Sequence, residues 1–330
     1  MGQTLRRNRK PKRRRMVWLL LSAVLLAFAV ALATLLFALL SHGDGSSDIP
    51  ATSDTVSTSP RKTLPKDFID RNTSSSHVIL SNVTKGEILY AKAETEKAYP
   101  ASLTKLMTAI VAVENCPADT ALTVGDEIRL VDKESSLAYL TVGSRLTLNQ
   151  LFKALLLPSG NDAAYAIAAQ VGRKIAGNDR LDSRSAIRLF VDKMNEKAVA
   201  LGCTGTHFAN PDGIHDPNHY TTAADMLKIA TCALEKPEIA GVVSLAQTTE
   251  TFLSGQTVTW KNSNKLVRQD NAFAYDGATG MKTGSTSEAG YCLIASALRD
   301  GQTSVAVVMG SKIESGRWED ASGLLDISFQ

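Results

Sequence analysis

The constraint that most limits this fold is the position of its strand-like segments, which stand at both ends of the region beyond residue 75 with helix-like segments between them. His77–Val83 and Ile88–Ala91 flank the turn Thr84-Lys85-Gly86-Glu87 and predict a hairpin. Two hundred residues on, Ala278–Thr286, Tyr291–Leu298 and Thr303–Met309 follow one another through short turns that carry Gly290 and Asp300-Gly301, the pattern of an antiparallel meander. Leu151–Leu157, Asp162–Val171 and Ser183–Ala200 are helical in pattern, and the last carries its apolar residues Ile187, Phe190, Val191, Met194 and Ala198 at helical spacing. A helix is also expected from Ala223 to Ala233, and a closing one from Glu319 to Ile327. Leu122–Val124, Glu127–Leu130, Leu146–Leu148, Thr248–Phe252 and Gln256–Trp260 read as short extended pieces. The sheet must therefore be assembled from distant parts of the chain, with the central helices as an inserted lobe. Such an α/β protein is of the α+β type and lacks the βαβ alternation of a parallel sheet.

The first 75 residues differ in kind. Arg6, Arg7, Arg9, Lys10, Lys12, Arg13, Arg14 and Arg15 form a basic cluster, and Met16–Ser41 then runs without an ionisable side chain. About 20 apolar residues span a bilayer, so this run suffices for a transmembrane helix or signal anchor. The basic tail, residues 1–15, is expected to stay in the cytoplasm, with the rest of the chain outside the cell membrane. A cleaved, secreted form is the alternative, although a signal peptide's apolar core is normally about 7–15 residues. Residues 42–75 are rich in Ser, Thr, Asp, Pro and Gly and predict a flexible linker. Without residues 1–15 the chain has 28 basic and 33 acidic residues, so nucleic acid is not an expected partner.

Metal chemistry has little support, and disulfide chemistry is left open. Cys116, Cys203, Cys232 and Cys292 are too far apart for a metal knuckle. Export would permit a disulfide, for which Cys203 with Cys232 is the favoured pair, and buried free thiols are the alternative. His207, His215 and His219 lie close in sequence, but no His-Glu-x-x-His spacing accompanies them, so neither a metal nor another cofactor is expected.

Three short motifs carry chemistry. Ser102-Leu103-Thr104-Lys105 opens an apolar helical run, and a helix from Ser102 would put Lys105 one turn along on the same face. A serine hydroxyl must lose its proton as it attacks, and a lysine can take it if burial or a nearby cation lowers the amine's pKa. Lys282 is the expected neighbouring cation. Ser159-Gly160-Asn161 breaks two apolar helices and can project Ser159 and Asn161 into a cleft. Lys282-Thr283-Gly284 lies on an expected strand. Charge and hydroxyl there suit a carboxylate, and Gly284 lets a ligand backbone approach. The backbone N–H groups of Ser102 and Ser285 are the expected oxyanion donors. Taken singly, these motifs also read as a helix cap, an interhelical turn and an exposed strand lysine.

Together, and in this order, they resemble the signature of the low-molecular-weight penicillin-binding proteins, the serine D-alanyl-D-alanine carboxypeptidases of peptidase family S11. The resemblance covers residues 76–330 and rests on Pro100–Thr108, Leu156–Ala164 and Gly280–Thr286, with supporting blocks at Phe208–Gly213, His219–Asp225 and Asn262–Asn264. It implies the serine β-lactamase/penicillin-binding-protein-like transpeptidase fold and a D-Ala-D-Ala carboxypeptidase catalytic domain. Ser102 would be the acylated nucleophile and Lys105 the base, with Ser159 and Asn161 completing the proton network. Lys282, Thr283, Gly284, Ser285 and Thr286 would bind substrate. The implied partners are a peptidoglycan stem peptide ending in D-Ala-D-Ala, β-lactam inhibitors, and the bacterial membrane through the N-terminal helix. An endopeptidase cutting cross-links, or an acylated sensor without turnover, would use the same site. The chain departs from many relatives by ending soon after Trp318–Ala321, before any second β-rich domain or C-terminal anchor, and by a longer link between Asp276-Gly277 and Lys282.

Overall fold

The computed structural model describes residues 73–133 and 135–330. The basic tail, the apolar run 16–41 and nearly all of the linker 42–75 lie outside the described residues. Among the described residues no helix is long and apolar enough to cross a membrane.

A five-stranded antiparallel sheet is the centre of the fold. Its strands are β1 (His77–Asn82), β2 (Glu87–Lys92), β7 (Ala278–Thr286), β8 (Gly290–Arg299) and β9 (Gln302–Ser311), in the order β2-β1-β9-β8-β7. The first hairpin is joined to the last by β1 against β9, with His77 opposite Met309 and Asn82 opposite Ser304. The sheet is thus built from both ends of the region, as the pattern requires. Its inner strands β1, β9 and β8 are buried on both faces. Ile79, Ile294, Val305 and Val307 join the larger core, while Val78, Leu80, Leu293 and Val308 join a smaller one with Trp318 and Leu325. Successive strand side chains point to opposite faces, so strands buried on both sides are apolar at nearly every position.

The larger core holds α1 (Lys105–Asn115), α2 (Leu148–Leu156), α3 (Asn161–Ala176), α4 (Ser183–Ala200), α5 (Ala223–Leu234) and α6 (Pro237–Val243). Two small hairpins accompany them: β3 (Ala121–Thr123) with β4 (Arg145–Thr147), and β5 (Gln247–Thr251) with β6 (Thr257–Lys261). A capping box fixes the start of α2, with Thr147 accepting from the Gln150 N–H and Gln150 returning the bond to the Thr147 N–H. The smaller core is closed by α7 (Glu314–Ser328). Asp320 on α7 pins the incoming chain, its carboxylate accepting the N–H groups of Ser74 at 3.0 Å and Ser75 at 2.8 Å.

Several expectations need correction. Ser102 lies in a 3-10 turn, Ala101–Thr104, and the α-helix begins only at Lys105. Ala101 has φ 47°, a left-handed conformation that the sequence does not advertise. Residues Asp126–Leu130 also form a 3-10 turn instead of an extended piece, with the buried Glu127 carboxylate accepting the Gly125 N–H at 2.7 Å. The four cysteines are free thiols and buried, so the favoured pair Cys203 and Cys232 is unbonded. A bulge between Ala278 and Gly280 absorbs the longer link to Lys282.

Candidate active site

The turn that carries Ser102 is held from two sides. Thr104 Oγ1 donates to Ala101 O at 2.8 Å and pairs with His219 Nε2 at 2.8 Å, while His219 Nδ1 accepts the Ala209 N–H at 3.2 Å. Burial drives the His219 pKa down to about 3, so the ring is neutral and its Nε2–H donates to Thr104. Gly213 packs directly beneath. A Cβ there would fall 1.9 Å from Ala101 O, and its φ of +90° suits glycine alone. From the other side β7 closes in at Gly284, where a Cβ would stand 3.0 Å from both Pro100 O and Ser102 N. The third motif therefore needs glycine because the Ser102 turn presses on the strand.

Lys105 is fully buried, and its ammonium nitrogen reaches three oxygens: Ser102 Oγ at 2.8 Å, Asn161 Oδ1 at 2.7 Å and Asp212 O at 2.8 Å. Burial lowers its pKa to about 8, against the opposing pull of Asp212 and Asp162. Lys282, only 1% exposed, donates to Thr283 O at 3.0 Å, and its pKa is driven well down by burial, then by Lys105 and Arg317. The expectation that Lys282 depresses Lys105 is corrected: burial lowers Lys105, whereas Lys105 helps to depress Lys282.

The second motif stands on the opposite wall. Ser159 takes φ 66°, and its hydroxyl makes no hydrogen bond to Ser102 or Lys105 among the described residues. Asn161 joins Lys105 to Ser135, donating from Nδ2 to Ser135 Oγ at 2.8 Å. Its N–H donates to Ser136 O at 2.8 Å, and Ser136 Oγ donates to Ser159 O at 2.8 Å. The next residue, Asp162, clamps the same loop by accepting the N–H groups of Ala138 at 2.8 Å and Leu140 at 2.9 Å. Ser285 is exposed at the end of β7, whereas the Thr286 hydroxyl is tied into the hairpin by the Ala289 N–H at 3.0 Å.

Four participants escaped the motifs. Asp212 contributes through its carbonyl, Ser135 through Asn161, and Ser263 through a 2.8 Å hydroxyl pair with Thr283. Arg317, 8% exposed, lies behind β7 with its guanidinium over Tyr291 and Nη1 donating to Gly284 O at 3.3 Å. Pro211-Asp212-Gly213 and Asn262-Ser263-Asn264 at least lay in blocks that resemble the family. Arg317 had no local signal.

A hydroxyl on a buried, partly neutral amine, with an amide and a second buried cation across a cleft, suits serine acyl transfer. The comparisons agree. The family model described as D-alanyl-D-alanine carboxypeptidase, peptidase S11, matches residues 63–313. A D-alanyl-D-alanine carboxypeptidase of Streptomyces sp. strain K15 is 36% identical over 253 residues, covering 74% of this chain and 83% of that protein. The carboxypeptidase DacF of Bacillus subtilis is 33% identical over 251 residues, and there the chain spans 59% of the relative's length. The crystal structure of the Streptomyces K15 DD-transpeptidase matches with a TM-score of 0.71 and 34% identity, covering 78% of this chain and 97% of that one. The chain belongs to the D-alanyl-D-alanine carboxypeptidase family, peptidase S11.

Proposed function

We infer that this chain is a serine-type D-Ala-D-Ala carboxypeptidase acting on peptidoglycan stem peptides, and that Ser102 carries the acyl group. The observation behind this reading is Lys105 Nζ, held between Ser102 Oγ and Asn161 Oδ1 at 2.8 and 2.7 Å with its pKa lowered to about 8. Ser102 Oγ attacks the carbonyl carbon of the last peptide bond while its proton passes to Lys105. The oxyanion is met by the N–H groups of Ser102 and Ser285. Ser159 relays a proton to the departing D-Ala amine, and Asn161 orients the scissile amide. Lys282 and Thr283 hold the terminal carboxylate, with buried Arg317 adding positive charge behind the strand. Water then cleaves the ester and restores the Ser102 hydroxyl. β-Lactams imitate the dipeptide and acylate the same oxygen.

The name DD-transpeptidase borne by the Streptomyces K15 structure favours a second reading, in which an amine replaces water in the last step. The N-terminal segment fits a single-pass anchor: residues 1–15 in the cytoplasm, 16–41 in the membrane, 42–75 as tether, and the catalytic domain 76–330 outside. The uncharged run Met16–Ser41 and its basic flank support this placement.

Mass spectrometry of a form lacking residues 1–45, incubated with a pentapeptide ending in D-Ala-D-Ala and separately with penicillin, tests the activity. Release of one D-Ala and a penicillin adduct on Ser102, both lost in Ser102→Ala, is the expected result. A folded protein with neither adduct nor release would sink the serine mechanism.

A further inference from the structure

A cavity of about 750 Å³ lies at the end of the sheet where β7 and β9 finish and β1 and β8 begin. Ser285, Thr286 and Glu288 line it from the β7–β8 hairpin, and Lys97 and Tyr99 line it from the segment that runs into the Ser102 turn. Lys312, just past the end of β9, lines it two strands away from β7. Two of these walls continue into the cleft. Ser285 and Thr286 follow Gly284, the residue pressed against Pro100 O and Ser102 N, and Tyr99 immediately precedes Pro100. Cavity and cleft thus share β7 on one side and the chain leading to Ser102 on the other.

Strand direction decides which half of the substrate reaches the cavity. In the carboxypeptidase reading Lys282 and Thr283 hold the terminal carboxylate, and the Ser285 N–H meets the scissile carbonyl. A substrate laid along the edge strand β7 therefore advances from Lys282 towards Thr286, at about 3.3 Å per residue. Beyond Ser285 comes the residue that precedes D-Ala-D-Ala, and there the cavity begins. Its charges are of both signs. Glu288 and Lys312 are exposed, and neither forms an ion pair with the other or with any described residue. Lys97 Nζ lies 4.3 Å from the Tyr220 ring centroid and donates to Pro217 O at 3.3 Å, also without a carboxylate partner. His77 Nδ1, on the same cavity's lining, is buried with no hydrogen-bond partner among the described residues. Opposite charges held apart in one cavity, beside an unsatisfied nitrogen, suit a ligand that itself carries both signs.

We propose that this cavity is the subsite for the residue preceding D-Ala-D-Ala, and that it selects a diamino acid whose side chain ends in both an ammonium and a carboxylate group. Glu288 meets the ammonium and Lys312 the carboxylate. This rests on the carboxypeptidase reading. An exposed ion pair supplies up to about five-fold in affinity, so the two together are sufficient for about ten-fold discrimination.

The test measures D-Ala release by the full chain in detergent from three peptides, Nα-acetyl-X-D-Ala-D-Ala with X as meso-diaminopimelate, L-Lys or Nε-acetyl-L-Lys. Wild type is expected to favour the diaminopimelate peptide over the acetyl-lysine peptide by about ten-fold in kcat/KM, with lysine between them. Lys312→Ala should bring the diaminopimelate peptide down to the lysine level, and Lys312→Arg should restore it. Glu288→Gln should bring the lysine peptide down to the acetyl-lysine level. Both preferences should shrink at an ionic strength of about 1 M, where charges are screened within about 3 Å. Lys85→Ala, in the exposed β1–β2 turn at the opposite end of the sheet, controls for net charge and should keep both preferences. Equal kcat/KM on the three peptides, or a diaminopimelate preference that Lys312→Ala retains, overturns the proposal. So does a preference lost only together with melting temperature and not restored by Lys312→Arg. Release of D-Ala from none of the peptides by wild type overturns the carboxypeptidase reading, and the subsite with it.

Discussion

Lys105 is the residue through which pH acts on this site. In the proposed mechanism Lys105 is the base and must be neutral, so the rate of penicillin acylation should climb as pH rises through about 8 and fall roughly ten-fold per unit below it. The same shift has a consequence for stability. The amine titrates near 8 in the fold but near 10.4 in the unfolded chain, so between those values the unfolded state binds more protons. Stability from this group therefore rises with pH across that window. Lys105→Met should abolish acylation and flatten this part of a Tm-against-pH curve. The serine and both lysines were legible because each motif is a few residues long and carries its chemistry in side chains. Asp212 was not legible in that role, since it serves through its carbonyl, which any residue possesses. Arg317 was hidden because only the packing of α7 against β8 and β9 brings it behind the edge strand.

At the level of elements, the site is a contact between a 3-10 turn and an edge strand. Gly284→Ala places a methyl group 3.0 Å from Pro100 O and Ser102 N. A shift of a few tenths of an ångström relieves it, so acylation should slow by roughly ten- to a hundred-fold with little loss of Tm, as stopped-flow and calorimetry would show. The loop that carries Ser135 and Tyr139 is the other element. Its backbone is clamped by Asp162, and Asp162→Ala leaves the N–H groups of Ala138 and Leu140 without their acceptor. A loss of about 3 kcal/mol in urea unfolding is expected, with slower acylation as Asn161 loses its support. Periodicity located the long helices and strands well, because their buried faces repeat. It failed at Ser102, where the turn follows a tertiary contact, the pressure of Gly213 on Ala101, and at Glu127–Leu130, where the local bond from the Gly125 N–H to the Glu127 carboxylate fixes a turn that periodicity does not record.

For the whole molecule, the sheet's assembly from distant segments was readable in the order of strand-like and helix-like stretches. The neighbours were not, since nothing local distinguishes β9 from β8 as the partner of β1. Asp320 fastens the entry of the chain to α7, and Asp320→Ala should cost about 3 kcal/mol and release the Ser74 and Ser75 amides to rapid hydrogen exchange. The pairing of β1 with β9 also sets a schedule. Ser102 and Lys105 emerge early from the ribosome, but β7 comes only after the central helices, and the sheet that positions it is not continuous until β9 has followed. A nascent or truncated chain carries Ser102 without a cleft around it. Its serine stays inert towards every passing ester or lactam until β9 has been made.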